Sequence, residues 1–185
     1  KRRNSGIELR VHPCLVPENS VIANINGAMN GILVHGDAVG PTLHYGAGAG
    51  GEPTASAVIA DIIDVSRRHI ASSDYYVPYM AYRGKVSDLP VLSINDIKTS
   101  YYLRVRVKDQ VGVMADVTRV LAKMSISIEA MFQGESVEGA NVVEVVIITH
   151  ESLEGDIRKA IAQIELLEAV REKINFLRIE TLDID

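Results

Sequence analysis

Hydrophobic and polar residues alternate clearly in the second half of the chain. Leu103, Val105 and Val107 alternate with charged residues, which is typical of a half-buried strand. Apolar residues recur at helical spacing in 113–124 and 153–167, alternate with polar ones in 126–132, and form a nearly continuous run in 142–149. The predicted elements are strands at 102–107, 126–132, 142–149 and 174–181, and helices at 113–124 and 153–167. The order βαββαβ predicts a four-stranded antiparallel sheet with both helices on one face, the ferredoxin-like arrangement.

The first half of the chain has a less regular pattern. Its predicted elements are strands at 7–16, 21–26, 31–35 and 41–45, a helix at 53–70 and a short strand at 89–94. We place a domain boundary near residue 98, giving domains at 1–98 and 99–185. The predicted fold class is α+β: a mixed-sheet domain followed by the ferredoxin-like one. Four tyrosines lie between residues 75 and 82. We expect them to cover part of a hydrophobic core rather than to form a binding surface.

Composition narrows the classes of function. The formal net charge is −5, which argues against nucleic acid because phosphate binding needs a basic face. No apolar run reaches the length of a membrane span, so no membrane association is expected. Cys14 is the single cysteine, which fits a reducing cytoplasm. The chain opens at Lys1 without a methionine and enters a strand pattern at once, so we expect a fragment of a longer protein.

The segment GAGAGG at residues 46–51 is the first candidate for chemistry. Glycines allow tight turns and close approach of backbone to a ligand. Pro53 is well placed at a helix start, where free N–H groups and the positive dipole end favour an anion such as phosphate. The segment matches neither G-x-G-x-x-G in a βαβ unit nor a P-loop. A tight strand-to-helix turn without any ligand remains the alternative.

The turn at 109–112 is the second candidate. Gly112 precedes a helix, so free N–H groups there could bind the carboxylate of a small amino acid. The alternative is simple capping of the helix by Asp109. The five histidines show no ligand spacing, so no metal site is expected. Ser56 lies in no G-x-S-x-G motif, and no acidic residues are paired for catalysis.

Three long stretches carry a resemblance to a known family. ELRVHPCLVP, the segment from NINGAMNGILVHGD to GAGAGGEPTASAVIADIID, and YYLRVRVKDQVGVMADVTRVLAKMSISIEAMFQGE resemble homoserine dehydrogenase, in that order. The last stretch is similar to an ACT domain, a module that senses small molecules. The turn of that module often has proline before the glycine, where this chain has Val111.

The resemblance implies an oxidoreductase that reduces aspartate semialdehyde to homoserine with NADP or NAD as cofactor, on the route to threonine, methionine and isoleucine. It places this chain at the end of the catalytic domain plus the ACT domain. The nucleotide-binding domain and the catalytic lysine of the family are expected upstream of Lys1. No residue here inherits a catalytic role, and the isolated chain is expected to be inactive.

The resemblance also implies two sets of site residues. The cofactor-binding set, beside the nicotinamide, is Gly48, Gly50, Gly51, Glu52 and Thr54. The effector-binding set is Asp109, Gln110, Val111, Gly112, Val113, Met114 and Gln133, with threonine as the expected effector and a homo-oligomer as the expected assembly. Two alternatives stay open: an ACT domain that only dimerises, and a stand-alone sensing or interaction module with no enzymatic role.

Overall fold

The computed structural model describes residues 1–70, 88–134 and 141–182. The predicted tyrosine cluster lies outside these residues. The chain divides into two compact units. Unit 1 consists of Lys1–Val16 and Leu89–Thr181, and unit 2 takes Pro17–Asp88 and the chain end from Leu182. The predicted boundary near residue 98 differs from this division, because the first sixteen residues pack with the second half of the chain.

The described residues form ten strands and three α-helices. The strands are β1 Arg2–Arg3, β2 Gly6–Ile7, β3 Cys14–Leu15, β4 Met29–Gly36, β5 Gly40–Ala47, β6 Lys98–Lys108, β7 Ile128–Gln133, β8 Val142–Thr149, β9 Ser152–Leu153 and β10 Asn175–Ile179. The helices are α1 Gly51–Ile70, α2 Val113–Lys123 and α3 Glu154–Ile164. Two short 3-10 helices span Val21–Asn24 and Ile94–Asp96.

The main sheet lies in unit 1 and has the strand order β3-β10-β6-β8-β7, with β9 paired to the start of β6. Neighbours from β10 to β7 are antiparallel, which confirms the ferredoxin-like order 4-1-3-2 of the βαββαβ series. The strand β3 adds to the outside of β10 in parallel, so the sheet is mixed. It therefore covers the edge of β10, while β7 lies at the other end of the strand order.

The core of unit 1 lies between this sheet and the helices α2 and α3. Alternate residues of β6 are buried from Thr99 to Val107, which is the pattern of a strand with one face covered. They meet Val117 and Leu121 of α2 and Ile157 of α3, and all three are fully buried. Both helices therefore cover the same face of the sheet, as the sequence predicts.

The first ten residues are fixed to unit 1 by a cluster of charges. Glu8 is 4% exposed and accepts hydrogen bonds from Arg3 at 2.8 Å and Arg10 at 3.2 Å. Burial alone would raise the pKa of Glu8, but the hydrogen bond from Arg3 and the positive charges of Arg3, Arg10 and Lys1 together hold the pKa below its ordinary value. Arg10 also pairs with Glu180 at 2.7 Å, just beyond β10.

Unit 2 contains a β-hairpin followed by a long helix. The strands β4 and β5 pair from Met29↔Ala47 to Gly36↔Gly40. Residues 37–39 form the turn, and Gly40 has φ +74°, the left-handed conformation that closes a three-residue hairpin loop. The helix α1 begins at Gly51, two residues before the predicted start. Its apolar face is largely exposed, with Val58, Ile59 and Ile62 between 51% and 59% accessible.

Three strand predictions in the first half are wrong. The predicted strand at 21–26 is replaced by a 3-10 helix at Val21–Asn24, where the side-chain amide of Asn24 donates to the carbonyl of Ser20 at 3.1 Å. The segment 7–16 holds only the ends of short strands, with residues 8–13 outside any ladder. The predicted strand at 89–94 reduces to one isolated bridge between Val91 and Ile7.

Candidate functional site

The glycine loop connects the end of β5 to the start of α1. Gly48 lies just beyond β5, and α1 begins at Gly51. The amide of Thr54 donates to the carbonyl of Gly50 at 3.1 Å, which is the first bond of the helix. The predicted set from Gly48 to Thr54 therefore lies at one helix N-terminus, where the N–H groups that precede Thr54 have no partner within the helix.

Two positions in this loop favour glycine for different reasons. Gly50 has φ +124°, a conformation that side chains rarely adopt, so any other residue there would be strained. A Cβ added to Gly48 would lie 2.5 Å from the amide nitrogen of Asn30 on β4. The loop thus crosses close to the hairpin, and its backbone is open to a ligand at the exposed residues 48–50.

The charge at this helix start is mixed. The positive end of the helix dipole favours an anion, but Glu52 in the first turn supplies a negative charge. The first turn of α1 contains no basic side chain that could help to attract a phosphate. The loop is consequently better suited to a neutral or cationic ring than to the phosphate that its glycines alone would suggest.

The turn before α2 is shaped by Gly112. This residue is the N-cap of α2 with φ +92°, and no side chain caps the helix. The alternative in which Asp109 caps the helix is therefore wrong. The amide of Gln110 donates to the carbonyl of Lys108 at 3.0 Å, and Val111 at the tip is fully exposed. The amides of Asp109 and Val113 also donate to backbone carbonyls, so the turn presents mainly the apolar side chain of Val111 to solvent.

A cavity of about 250 Å³ lies beside this turn. Of the predicted effector set, Gln110, Val111 and Val113 line it. Asp109 and Gly112 lie next to it in the chain, Met114 packs partly on the core, and Gln133 lies on β7 and does not line it. The lining residues that the sequence pattern missed are Lys108, Asp116, Leu167, Glu168 and Ala169.

The missed residues bring both signs of charge to the cavity. The ammonium of Lys108 lies 3.0 Å from Oε1 of Glu168, and this hydrogen bond lowers the pKa of the exposed Glu168 carboxyl. Asp116 adds a carboxylate from the first turn of α2. The amide of Lys108 donates to the carbonyl of Ala169 at 2.8 Å, which joins the end of β6 to the segment after α3. Opposite charges beside a small cavity suit a zwitterion.

Comparison with known proteins agrees with this geometry. Residues 2–63 match the family model for homoserine dehydrogenase, and residues 101–166 match the ACT domain model. Homoserine dehydrogenases from Pseudomonas aeruginosa and Neisseria gonorrhoeae are each 45% identical, over 99% and 98% of this chain. Almost the whole of this chain is therefore similar to part of a homoserine dehydrogenase. It spans 42% of the length of each of these curated relatives.

A solved structure in the homoserine dehydrogenase family gives the same result in three dimensions. The enzyme from Thiobacillus denitrificans superposes with a TM-score of 0.87 at 50% identity, over 99% of this chain and 41% of that one. At this similarity the arrangement of strands and helices is shared. The second half of the chain is an ACT domain, as its strand order indicates.

Inside the ACT domain, a buried carboxylate joins the sheet to α3. Glu154 is fully buried and accepts hydrogen bonds from Tyr101 at 2.9 Å, from Arg158 at 2.8 Å and from Arg178. Burial alone would raise the pKa of Glu154, but these donors hold it below its ordinary value. Burial, together with the hydrogen bond to Glu154, raises the pKa of Tyr101. The sequence pattern gave no sign of this network.

Other kinds of site find no support in the described residues. Over 1–70, 88–134 and 141–182, no three His, Cys, Asp or Glu side chains come together as metal ligands. Within the same ranges, none of the helices combines the length and hydropathy needed to cross a membrane. Cys14 is a free and exposed thiol.

Proposed function

We propose that this chain supplies the end of the catalytic domain and the ACT domain of a homoserine dehydrogenase. The proposed reaction of the whole protein is the NAD(P)H-dependent reduction of L-aspartate 4-semialdehyde to L-homoserine. The observation that carries the proposal is the 45–50% identity to homoserine dehydrogenases over almost all of this chain. A stand-alone sensing module has no use for a glycine loop and hairpin that match a catalytic domain.

The glycine loop is proposed to form one wall of the nicotinamide site. Two features support this role: Gly50 and Gly48 keep the backbone free of side chains, and Glu52 places a carboxylate at the helix start. A carboxylate there suits the nicotinamide ring, which is cationic when oxidised, better than a phosphate. When bound, the nicotinamide supplies the hydride. The part of this chain is to position that ring and to restrict water beside it.

The exposed face of α1 also supports a larger catalytic domain. Val58, Ile59, Ile62 and Ile63 are spaced for one helix face and are 44–59% exposed. Leaving four such side chains in water forgoes the burial of apolar surface that stabilises most amphipathic helices. Since the chain spans 42% of the length of its curated relatives, the remaining length of such a protein offers a partner for this face.

The ACT domain is proposed to bind an amino acid at the cavity beside the turn 109–114. The α-ammonium group would meet Asp116 or Glu168, and the carboxylate would meet Lys108 and the amides of Val111 and Gly112. Threonine is the expected effector. A role in dimerisation alone remains the competing proposal, and the two differ in whether an amino acid stabilises the domain.

A chimera tests the catalytic proposal directly. The corresponding C-terminal two fifths of the Pseudomonas aeruginosa homoserine dehydrogenase are replaced by this chain, and NADPH consumption with aspartate semialdehyde is measured. Activity within about tenfold of the parent enzyme supports the proposal. The parent truncated at the junction and the isolated 185-residue chain are the controls, and neither is expected to turn over. A well-folded chimera without activity, or an active isolated chain, would contradict the proposal.

A further inference from the structure

Residues 7–16, called the strap here, pack on the ACT domain although their sequence matches a different family model. The match to the homoserine dehydrogenase model is continuous over 2–63 and includes the strap, the hairpin and the glycine loop. In the structure, residues 1–16 belong to unit 1, and the next residue, Pro17, begins unit 2. The strap is therefore the stretch by which the ACT domain holds the segment that matches homoserine dehydrogenase.

The backbone contacts of the strap with the ACT domain lie at its two ends. At one end, the amide of Ile7 donates to the carbonyl of Pro90 at 2.9 Å. At the other end, the amide of Glu180 donates to the carbonyl of Leu15 at 2.8 Å, where β3 lies beside β10. Residues 8–13 between these ends belong to no ladder, and both residues of β3 are exposed. A strand of two exposed residues is held weakly by its ladder alone.

A buried arginine fastens the middle of the strap. The guanidinium of Arg10 lies 3.2 Å from Glu8 within the strap and 2.7 Å from Glu180 beyond β10. The three side chains are 3–10% exposed. Nη1 of Arg10 is also buried, and it has no acceptor within the part of the chain that the structure describes. The charges of this latch are paired, but its hydrogen bonding is incomplete, which lowers the stability of the docked strap.

The strand β10 has other partners that do not involve the strap. It pairs with β6 over residues 175–179. The carbonyl of Ile179 accepts a hydrogen bond from the hydroxyl of Thr99 at 2.8 Å, and Arg178 is bound to the buried Glu154. These contacts would remain if β3 moved away. Undocking of the strap would then expose one edge of β10 and leave the βαββαβ unit folded.

We propose that the strap is a conformational switch in which β3 docks on β10 and undocks, with Arg10 as its latch, while the rest of the ACT sheet stays folded. When the strap is docked, the chain just before Pro17 is tied to the ACT sheet. When it is undocked, about ten residues of free chain, up to roughly 35 Å long, connect that point to the domain. The switch holds or releases the segment that matches homoserine dehydrogenase without unfolding either unit.

The strap lies away from the candidate cavity for an amino acid. Ile179 pairs with Leu15 on one side and with Ser100, near the start of β6, on the other. The cavity lies beside Lys108, at the end of β6. The strand between Ser100 and Lys108 is about 26 Å long. The switch is therefore separate from that cavity and does not depend on which effector the cavity binds.

Hydrogen exchange of single amides, followed by NMR on the 185-residue chain, tests the switch. The amide of Glu180 reports docking directly, because its acceptor is the carbonyl of Leu15. We expect it to exchange at least about tenfold faster than the amides of the β6–β8 ladder, after correction for intrinsic rates. Exchange of the Glu180 amide at the rate of the β6–β8 ladder would overturn the proposal, because the strap would then open only when the whole domain unfolds.

Removal of the latch should speed this opening alone. In Arg10→Ala, and in Glu180→Gln as a second variant, the amide of residue 180 is expected to exchange at least about fivefold faster than in the parent. The β6–β8 amides should stay within about twofold of their parent rates. Arg119→Ala is the matched control, since its pair with Asp116 on α2 is exposed and far from the strap in sequence. An effect of Arg10→Ala no larger than that of this control would remove the latch from the proposal.

A disulfide that locks the strap provides the converse test. Leu15 and Ile179 are paired neighbours, and the spacing of adjacent strands, about 4.8 Å, falls within the Cα separation that a disulfide allows. Leu15→Cys and Ile179→Cys are combined in a Cys14→Ser background. In the oxidised form, the amide of Glu180 should exchange within about threefold of the β6–β8 rate, and reduction should restore the fast exchange. Fast exchange that persists in the oxidised form would show that it does not arise from undocking of β3.

Discussion

Arg178 on β10 donates from Nε to Oε2 of Glu154 at the first residue of α3, over 2.7 Å. Both side chains are within a tenth of full burial, and Tyr101 donates to the same carboxylate oxygen from β6. One carboxylate therefore fixes two strands to a helix N-terminus. The pair is buried where water cannot replace either partner. Removing one partner therefore leaves the other as a buried charge without a counter-charge.

Substitution of Glu154 by glutamine is expected to destabilise the ACT domain strongly. The amide cannot neutralise Arg178, and the buried guanidinium then lacks its counter-charge. We expect the free energy of unfolding to fall by about 3–5 kcal/mol, measured by urea denaturation. The matched control is Asp156→Asn on the same helix, whose pair with Lys159 is exposed and worth about 1 kcal/mol or less. Equal effects of the two variants would contradict the buried-pair account.

Acidification is expected to weaken the same domain. The pKa values of Glu154 and Glu8 lie below the ordinary 4.5 in the folded protein. Their stabilising contribution is therefore complete above pH 4.5 and is lost as the pH falls through the lowered folded pKa values. The free energy of unfolding, measured between pH 7 and pH 3, should decline below pH 4.5. The decline should be shallower in Glu154→Gln, and an unchanged slope would contradict this assignment.

Substitution of Gly50 by alanine should impair cofactor binding in the chimera. The backbone at φ +124° is strained for alanine by about 1–3 kcal/mol, so the loop is expected to move. We expect the KM for NADPH to rise at least about fivefold. Gly46→Ala is the control, because a Cβ there meets nothing within 4 Å and the backbone angle is ordinary. A KM for Gly50→Ala equal to that of the control would remove the loop from the cofactor site.

Threonine at millimolar concentration is expected to raise the melting temperature of the 185-residue chain. Ligand that binds only the folded state stabilises by about 2.7 kcal/mol at one hundred times its dissociation constant. The shift should vanish in Gln110→Ala and in Asp116→Ala, which both line the cavity. It should persist in Lys123→Ala at the other end of α2. No shift in the parent chain would favour an ACT domain that only dimerises.

The ACT domain was predictable because one face of its two central strands, β6 and β8, is buried along almost their whole length. The strand at 142–149 has the predicted bounds, since alternate residues from Val143 to Thr149 lie in the core and fix the register. The segment 21–26 shows the opposite case. Its apolar residues are not in a ladder, and a local bond between Asn24 and Ser20 decides the conformation. Apolar spacing predicts burial well, but it cannot detect short-range turn chemistry.

Only the part of the candidate cavity that the turn after β6 contributes was predicted from the sequence. Gln110 and Val111 follow β6 directly and were identified, whereas Glu168 and Ala169 reach the same place from the segment after α3. The hydrogen bond from the Lys108 amide to the Ala169 carbonyl holds these two residues beside the end of β6. Contacts of this kind arise from tertiary packing, and one sequence contains no pattern that specifies them.

The parallel pairing of Cys14 with Arg178 sets an order of events during synthesis. The strand β3 is among the first parts of this chain to leave the ribosome, and its partner β10 is among the last. Translation proceeds at about 5–20 residues per second, so β3 waits roughly ten seconds or more for its partner. During that interval Lys1 and Arg10 lack their partner Glu180, and the βαββα series lacks its final strand. Nascent chains stalled before residue 175 should therefore bind chaperones and resist compaction, while release of β10 allows the β3 end of the sheet to form.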